Sequence, residues 1–169
     1  MTEGQIQKRV AEIGHRITED YATEPPILVN VLKGGVIFLA DLVRSIKAPV
    51  EIDFMEVSSY GAGKESSGIV RILEDLSLSI TGRHVLIVED IVDTGLTLKY
   101  IIENLETRHP KSVKICALLD RRGRRKVDLN LDYVGFVVPD KFVIGYGLDL
   151  AQKYRNLPYI AVLDDEEIP

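Results

Sequence analysis

Cysteine is almost missing from this chain of 169 residues: Cys116 stands alone, so no intrachain disulfide is available. A single thiol inside the apolar run VKICALL reads as a small core residue in a reducing compartment. Basic charge is also in deficit. The net charge is -5, which argues against non-specific nucleic-acid binding. No apolar run approaches the ~18 residues of a membrane span, and the N-terminus MTEGQIQKRV lacks the apolar region of a secretion signal. Repeats, low-complexity tracts and linkers are absent. His15, His84 and His109 show no metal-ligand spacing. The expectation is one cytoplasmic domain, 1–169, bound neither to membrane nor to nucleic acid.

What is present is an alternation of strands and helices. Ile6, Val10, Ile13, Ile17 and Tyr21 mark one helix face, ended by Pro25-Pro26. The run ILVNVL (27–32) reads as a buried strand before Lys33-Gly34-Gly35. A helix is predicted over 36–46, a strand over 50–58, a Gly- and Ser-rich loop over 59–68 and a return strand over 69–73. HVLIV (84–88) is the next buried strand, followed by a helix from about Thr94 to Thr107. SVKICALL (112–119) is another strand, and DRRGRRKVD (120–128) a basic, solvated loop. YVGFVV, FVIGYG and YIAVL give short strands near the C-terminus. The class is α/β, with a parallel sheet covered on both faces and ligands at the carboxyl ends of its strands.

The decisive stretch is VLIVEDIVDTGLTL (85–98). A strand hands over to a helix at Asp93–Thr97, where unpaired backbone N–H groups and the helix dipole make an anion seat without a lysine. Gly95 admits close approach, and Thr94 and Thr97 add hydroxyls. The missing lysine favours a phosphate monoester over a triphosphate. Glu89 and Asp90 are placed to accept from vicinal ribose hydroxyls, or to hold Mg²⁺. Phosphate on the turn and ribose on the acids describe a ribose 5-phosphate. Asp93 then stands near the reacting end of the sugar as a proton acceptor. The plainer reading makes Asp93 a helix cap and Glu89-Asp90 a solvated strand end.

This stretch resembles the phosphoribosyl-pyrophosphate (PRPP) motif of the type I phosphoribosyltransferase family. VLKGG (31–35), SSYG (58–61), LLD (118–120) and DYVGFVVPDKFVIGYGLDL (132–150) extend the likeness to the family's purine branch. The resemblance implies a core of about five mostly parallel strands flanked by helices, with a small hood from the two chain ends. It implies transfer of a 5-phosphoribosyl group from PRPP to N9 of a 6-oxopurine, hypoxanthine or guanine, with Mg²⁺ as cofactor. A homodimer or homotetramer is expected.

Carried onto this chain, the resemblance makes Asp93 the catalytic base and seats the phosphate on Asp93, Thr94, Gly95, Leu96 and Thr97. Glu89 and Asp90 hold ribose and metal. Lys33, Gly34 and Arg155 bind pyrophosphate, and the Leu32–Lys33 peptide is expected to be cis. Phe142 stacks on the purine, the backbone of Val143 and Asp149 reads its edge, and Asp149 is also a metal ligand. Ser59 and Tyr60 belong to a closing lid. On the residues alone, Phe142 reads as core, Lys33 as a turn residue and Arg155 as surface. The family's usual lysine after LLD, a donor to the 6-oxo group, is Arg121 here. A guanidinium also donates to a carbonyl, but its fork is a different shape, and Arg122 or Arg124 could swing in instead. Two alternatives stand beside the main reading: a xanthine-preferring transferase, and an RNA-binding regulator that uses the basic loop 121–126.

Overall fold

The apolar runs of the sequence become the inner strands of a single sheet. The computed structural model describes residues 1–59 and 70–163. Helix α1 (Glu3–Asp20) starts with a capping box, Thr2 and Gln5 satisfying each other's backbone N–H, and buries Ile6, Val10, Ile13 and Ile17. Strand β1 (Ile27–Leu32), α2 (Val36–Ser45), β2 (Glu51–Ser59), β3 (Val70–Glu74), β4 (His84–Val92), α3 (Leu96–Glu106), β5 (Ser112–Asp120) and β6 (Tyr133–Val137) follow. A 3₁₀ turn, Arg122–Arg124, lies between β5 and β6.

The sheet has six strands in the order β3-β2-β1-β4-β5-β6. Five of them, β2 to β6 across the order, run parallel, and β3 returns antiparallel on β2. The expectation of about five mostly parallel strands holds, with β3 as the sixth. One core packs α1 and α2 on one face, and a second packs α3 on the other.

Chain order reverses beside β1, whose neighbours are β2 and β4. That is the switch point at which open α/β sheets bind ligands. The register shows why a crevice opens there. The β1–β4 ladder stops at Asn30 and Val88. The β1–β2 ladder continues to Leu32 and Glu56, and the β4–β5 ladder to Val92 and Asp120. Strand β4 is therefore longer than 84–88. Pairing with β5 carries it through Glu89 and Asp90, so these acids are part of the strand.

The C-terminal strands are shorter than expected. Strand β7 (Phe142–Ile144) pairs antiparallel with β8 (Ala161–Leu163), while Gly145, Tyr146 and Gly147 turn away with positive φ. Met1 joins this small sheet: its amino group donates to the Ile160 carbonyl at 2.7 Å, and the Ile160 N–H donates to the Met1 carbonyl at 3.1 Å. Cys116 is fully buried in the core, and burial pushes its thiol up.

Candidate active site

The β4–α3 turn is built by backbone geometry. Gly95 caps α3 with φ of 80° and makes no side-chain cap. That left-handed conformation favours glycine, and a Cβ there would also lie 2.7 Å from Leu129. The first bond within the helix is Lys99 N–H to Gly95 O, 2.9 Å. The N–H groups of Thr97 and Leu98 precede it and face outward, as at any helix start. Leu96 N–H donates to Thr94 Oγ1 at 3.4 Å. Glu89, Ile91, Val92, Asp93, Thr94, Gly95, Thr97 and Leu98 enclose a cleft of about 130 Å³. The helix begins at Leu96 rather than Thr94, so Asp93 is not its cap.

Asp90 faces elsewhere. Its carboxylate lies against Gly34, where any Cβ would overlap Asp90 Oδ2. The Leu32–Lys33 peptide is cis. Arg155 reaches the same region from the C-terminal segment, pairing with Asp149 at 2.9 Å and donating to Gly147 O at 2.7 Å. Burial raises Asp90 to about 6, despite the Ile91 N–H and the Arg155 charge; the Asp149 charge adds to the rise. Burial, and then the Asp90 charge, push Glu89 well above the ordinary carboxylate range.

The third wall is made of arginines on acids. Arg121 is only 7% exposed. It donates to Asp93 Oδ2 at 3.2 Å and to the Lys141 carbonyl at 2.7 Å. Arg124 pairs with Asp140 at 2.8 Å and approaches Asp93 to 3.6 Å. Arg125 donates to the Asp93 carbonyl at 3.2 Å. Asp120, buried at 3% exposure, holds Arg122 at 2.8 Å and Arg125 at 2.6 Å. Two buried polar atoms of this wall have no partner among the described residues: Asp93 Oδ1, an acceptor, and Arg121 Nε, a donor. Phe142, half-buried, follows Lys141 directly, and Val143 is buried and pairs with Val162.

A helix-start phosphate seat, acids on the strand before it and a glycine loop packed on one of those acids describe a sugar-phosphate site. The model of the phosphoribosyl transferase domain matches residues 2–151. The chain belongs to the phosphoribosyltransferase family.

Within the family it is 52% identical to the hypoxanthine-guanine phosphoribosyltransferase of Bacillus subtilis, over 96% of this chain and 91% of that one. It is 50% identical to the hypoxanthine phosphoribosyltransferase of Salmonella typhimurium, over 97% and 94% of the two chains. A solved hypoxanthine phosphoribosyltransferase from Staphylococcus aureus superposes with a TM-score of 0.94 at 49% identity, covering 98% of this chain and 90% of that one.

The fold brings the family-motif residues Lys33, Gly34, Glu89, Asp90, Asp93–Thr97, Arg121, Phe142, Val143, Asp149 and Arg155 to the carboxyl ends of the strands or the segments beside them. Ser59 ends β2, and Tyr60 lies outside the described residues. Loop 121–125 is exposed at Arg122, Gly123 and Arg124, as expected of a solvated loop, but Arg121 is buried and all four arginines are paired with acids. Arg125, Asp120 and Asp140 were missed as members of the site, and Arg124 was named only as an alternative to Arg121. Asp120 pairs with arginines two and five residues on, Arg124 and Asp140 lie 16 apart, and no local pattern announces either pairing. Asn30 was also missed, although a lone amide inside ILVNVL was a visible signal.

Proposed function

We propose that the chain transfers a 5-phosphoribosyl group from PRPP to N9 of a 6-oxopurine, hypoxanthine or guanine, in purine salvage. The observation that carries this reading is the pair of buried, unpartnered atoms, Asp93 Oδ1 and Arg121 Nε. A buried acceptor and a buried donor left without partners cost stability. Once a base displaces the groups that cover them, the N7–H and 6-oxo groups along one edge of hypoxanthine or guanine would satisfy both. Adenine, with an amino group at C6, would set donor against donor.

In this reading the 5-phosphate sits in the Asp93–Thr97 cleft and the ribose hydroxyls face Glu89 and Asp90. The pyrophosphate lies on the Lys33–Gly34 backbone and Arg155. Phe142 stacks on the purine, the Val143 and Asp149 backbone reads its far edge, and Ser59 and Tyr60 belong to the lid. The base N9 bonds to the sugar C1, the C1–oxygen bond to pyrophosphate breaks, and the N7 proton passes to Asp93. Among the described residues no three potential ligands converge to hold a metal unaided. Glu89, Asp90 and Asp149 are hard oxygen donors, and Mg²⁺ is commonly held by one or two carboxylates plus substrate phosphates. They fit Mg²⁺ arriving with PRPP, where it supplies charge neutralisation of the leaving group. A hood from Met1 and β7–β8, a cytoplasmic location and a homodimer or homotetramer belong to the same proposal.

Arg121 supports a second ranking, with xanthine preferred. The RNA-regulator reading loses its footing, because Arg121, Arg122, Arg124 and Arg125 are each bonded to an aspartate. The test is pyrophosphate release from PRPP and Mg²⁺ with hypoxanthine, guanine, xanthine, adenine and uracil. Turnover with hypoxanthine or guanine and silence with adenine and uracil are expected. Turnover of xanthine alone would install the second ranking, and silence with all five would overturn the transferase.

A further inference from the structure

We infer that Asn30 is a positioning residue for the pyrophosphate loop, an inference that rests on the transferase reading above. Asn30 is the last residue of β1 paired with β4. Beyond it the two strands part, and the crevice begins. Its fully buried side chain spans the point of divergence: Nδ2 donates to the Val88 carbonyl at 2.8 Å. The Lys33–Gly34–Gly35 loop folds back over this amide. A Cβ on Gly35 would overlap Asn30 Nδ2 and lie 3.3 Å from the Val88 carbonyl. One residue earlier, Gly34 rests on Asp90. The loop thus has two floors, the Asn30 amide under Gly35 and the Asp90 carboxylate under Gly34. Both stand at the fork, on β1 and β4 respectively.

Stability does not explain the amide. Asn30 Oδ1 is buried and accepts from no described group, while Leu28 and Val88 on the same face belong to the apolar core. An apolar residue of similar shape would remove the unsatisfied acceptor but leave the Val88 carbonyl without its amide donor, two changes of opposite sign and similar size. A polar residue in a core that brings no net gain in stability points to function. Here that function is to fix the height and tilt of the loop whose backbone N–H groups meet pyrophosphate.

The experiment is steady-state kinetics with thermal melting on the full chain carrying Asn30→Leu, Gly35→Ala, or Asn30→Ala with Gly35→Ala. Asn30→Leu is expected to leave Tm within a few degrees of the parent. It should raise the KM for PRPP and the inhibition constant of pyrophosphate together, by about fivefold or more, with the KM for hypoxanthine within about twofold. Gly35→Ala should raise the KM for PRPP further, and removing the Asn30 side chain in the same chain should recover part of that loss. The last comparison stays informative if Asn30→Leu fails to fold. Unchanged PRPP and pyrophosphate constants in Asn30→Leu, equal shifts for PRPP and hypoxanthine, or effects that simply multiply in the double variant would each overturn the role. Absence of turnover in the unmodified chain would instead strike the transferase reading.

Discussion

The proposed phosphate seat and the proposed base wall lie on either side of Asp93 and are made by different means. The seat is backbone: a strand end, a left-handed glycine and the free N–H groups of a helix start. The wall is side chain: Arg121 and Arg124 on Asp93, Arg124 also on Asp140, and Arg122 and Arg125 on Asp120. A backbone seat is fixed by local order and tolerates any side chain that leaves the turn intact. An ion-paired wall depends on the partners of its buried members, Asp120 and Arg121, because removing one leaves a buried charge uncompensated. Asp93 belongs to both, its backbone to the turn and its carboxylate to the wall.

The largest effect expected from separating the two belongs to Asp93. Asp93→Asn leaves the turn intact and removes the proposed proton acceptor. Its kcat should fall by about 10²–10⁴, the usual contribution of a general base. PRPP affinity, measured by calorimetry, should change little. A near-normal kcat would confine Asp93 to the turn.

Next comes Gly34→Ala, which presses a methyl group into Asp90. Overpacking of this kind costs about 1–3 kcal/mol. The KM for PRPP should therefore rise by roughly tenfold while the KM for the base holds. Equal changes in both would show that the loop and the base wall move together.

The smallest effect is on stability and comes from Asp90. Its folded pKa, about 6, lies above that of an unfolded aspartate, so the folded chain resists ionisation. The penalty is absent at pH below about 4, grows as pH rises to about 6, and is complete above that. Asp90→Asn removes it. The variant should melt a few degrees above the parent at pH 7.5, a gap that closes as pH falls through this window. A gap independent of pH would mean that Asp90 is not strained by burial.

The same contrast explains what was legible in the sequence. Strands of buried residues and the VEDIVDTGLT turn are local, so apolar runs and glycine placement reveal them. The length of β4 was not, because pairing with β5 extends it through polar residues. Nor was the wall. The string RRGRR gives no sign of its partners until the fold brings Asp93 and Asp140 against it, up to 32 residues away for Arg125 and Asp93. Asn30 falls between these cases. Its position in a buried strand was plain, but its partner Val88 stands 58 residues along the chain.

The most direct test of the base wall is the affinity of the enzyme for hypoxanthine, 7-deazahypoxanthine and adenine, as competitive inhibition constants against guanine. Replacing N7–H by C–H leaves Asp93 Oδ1 unsatisfied, and replacing the 6-oxo group by an amine faces Arg121 Nε with a donor. Each substitution is expected to weaken binding by about tenfold or more. Equal binding of hypoxanthine and 7-deazahypoxanthine would contradict the role given to Asp93, and equal binding of adenine the role given to Arg121.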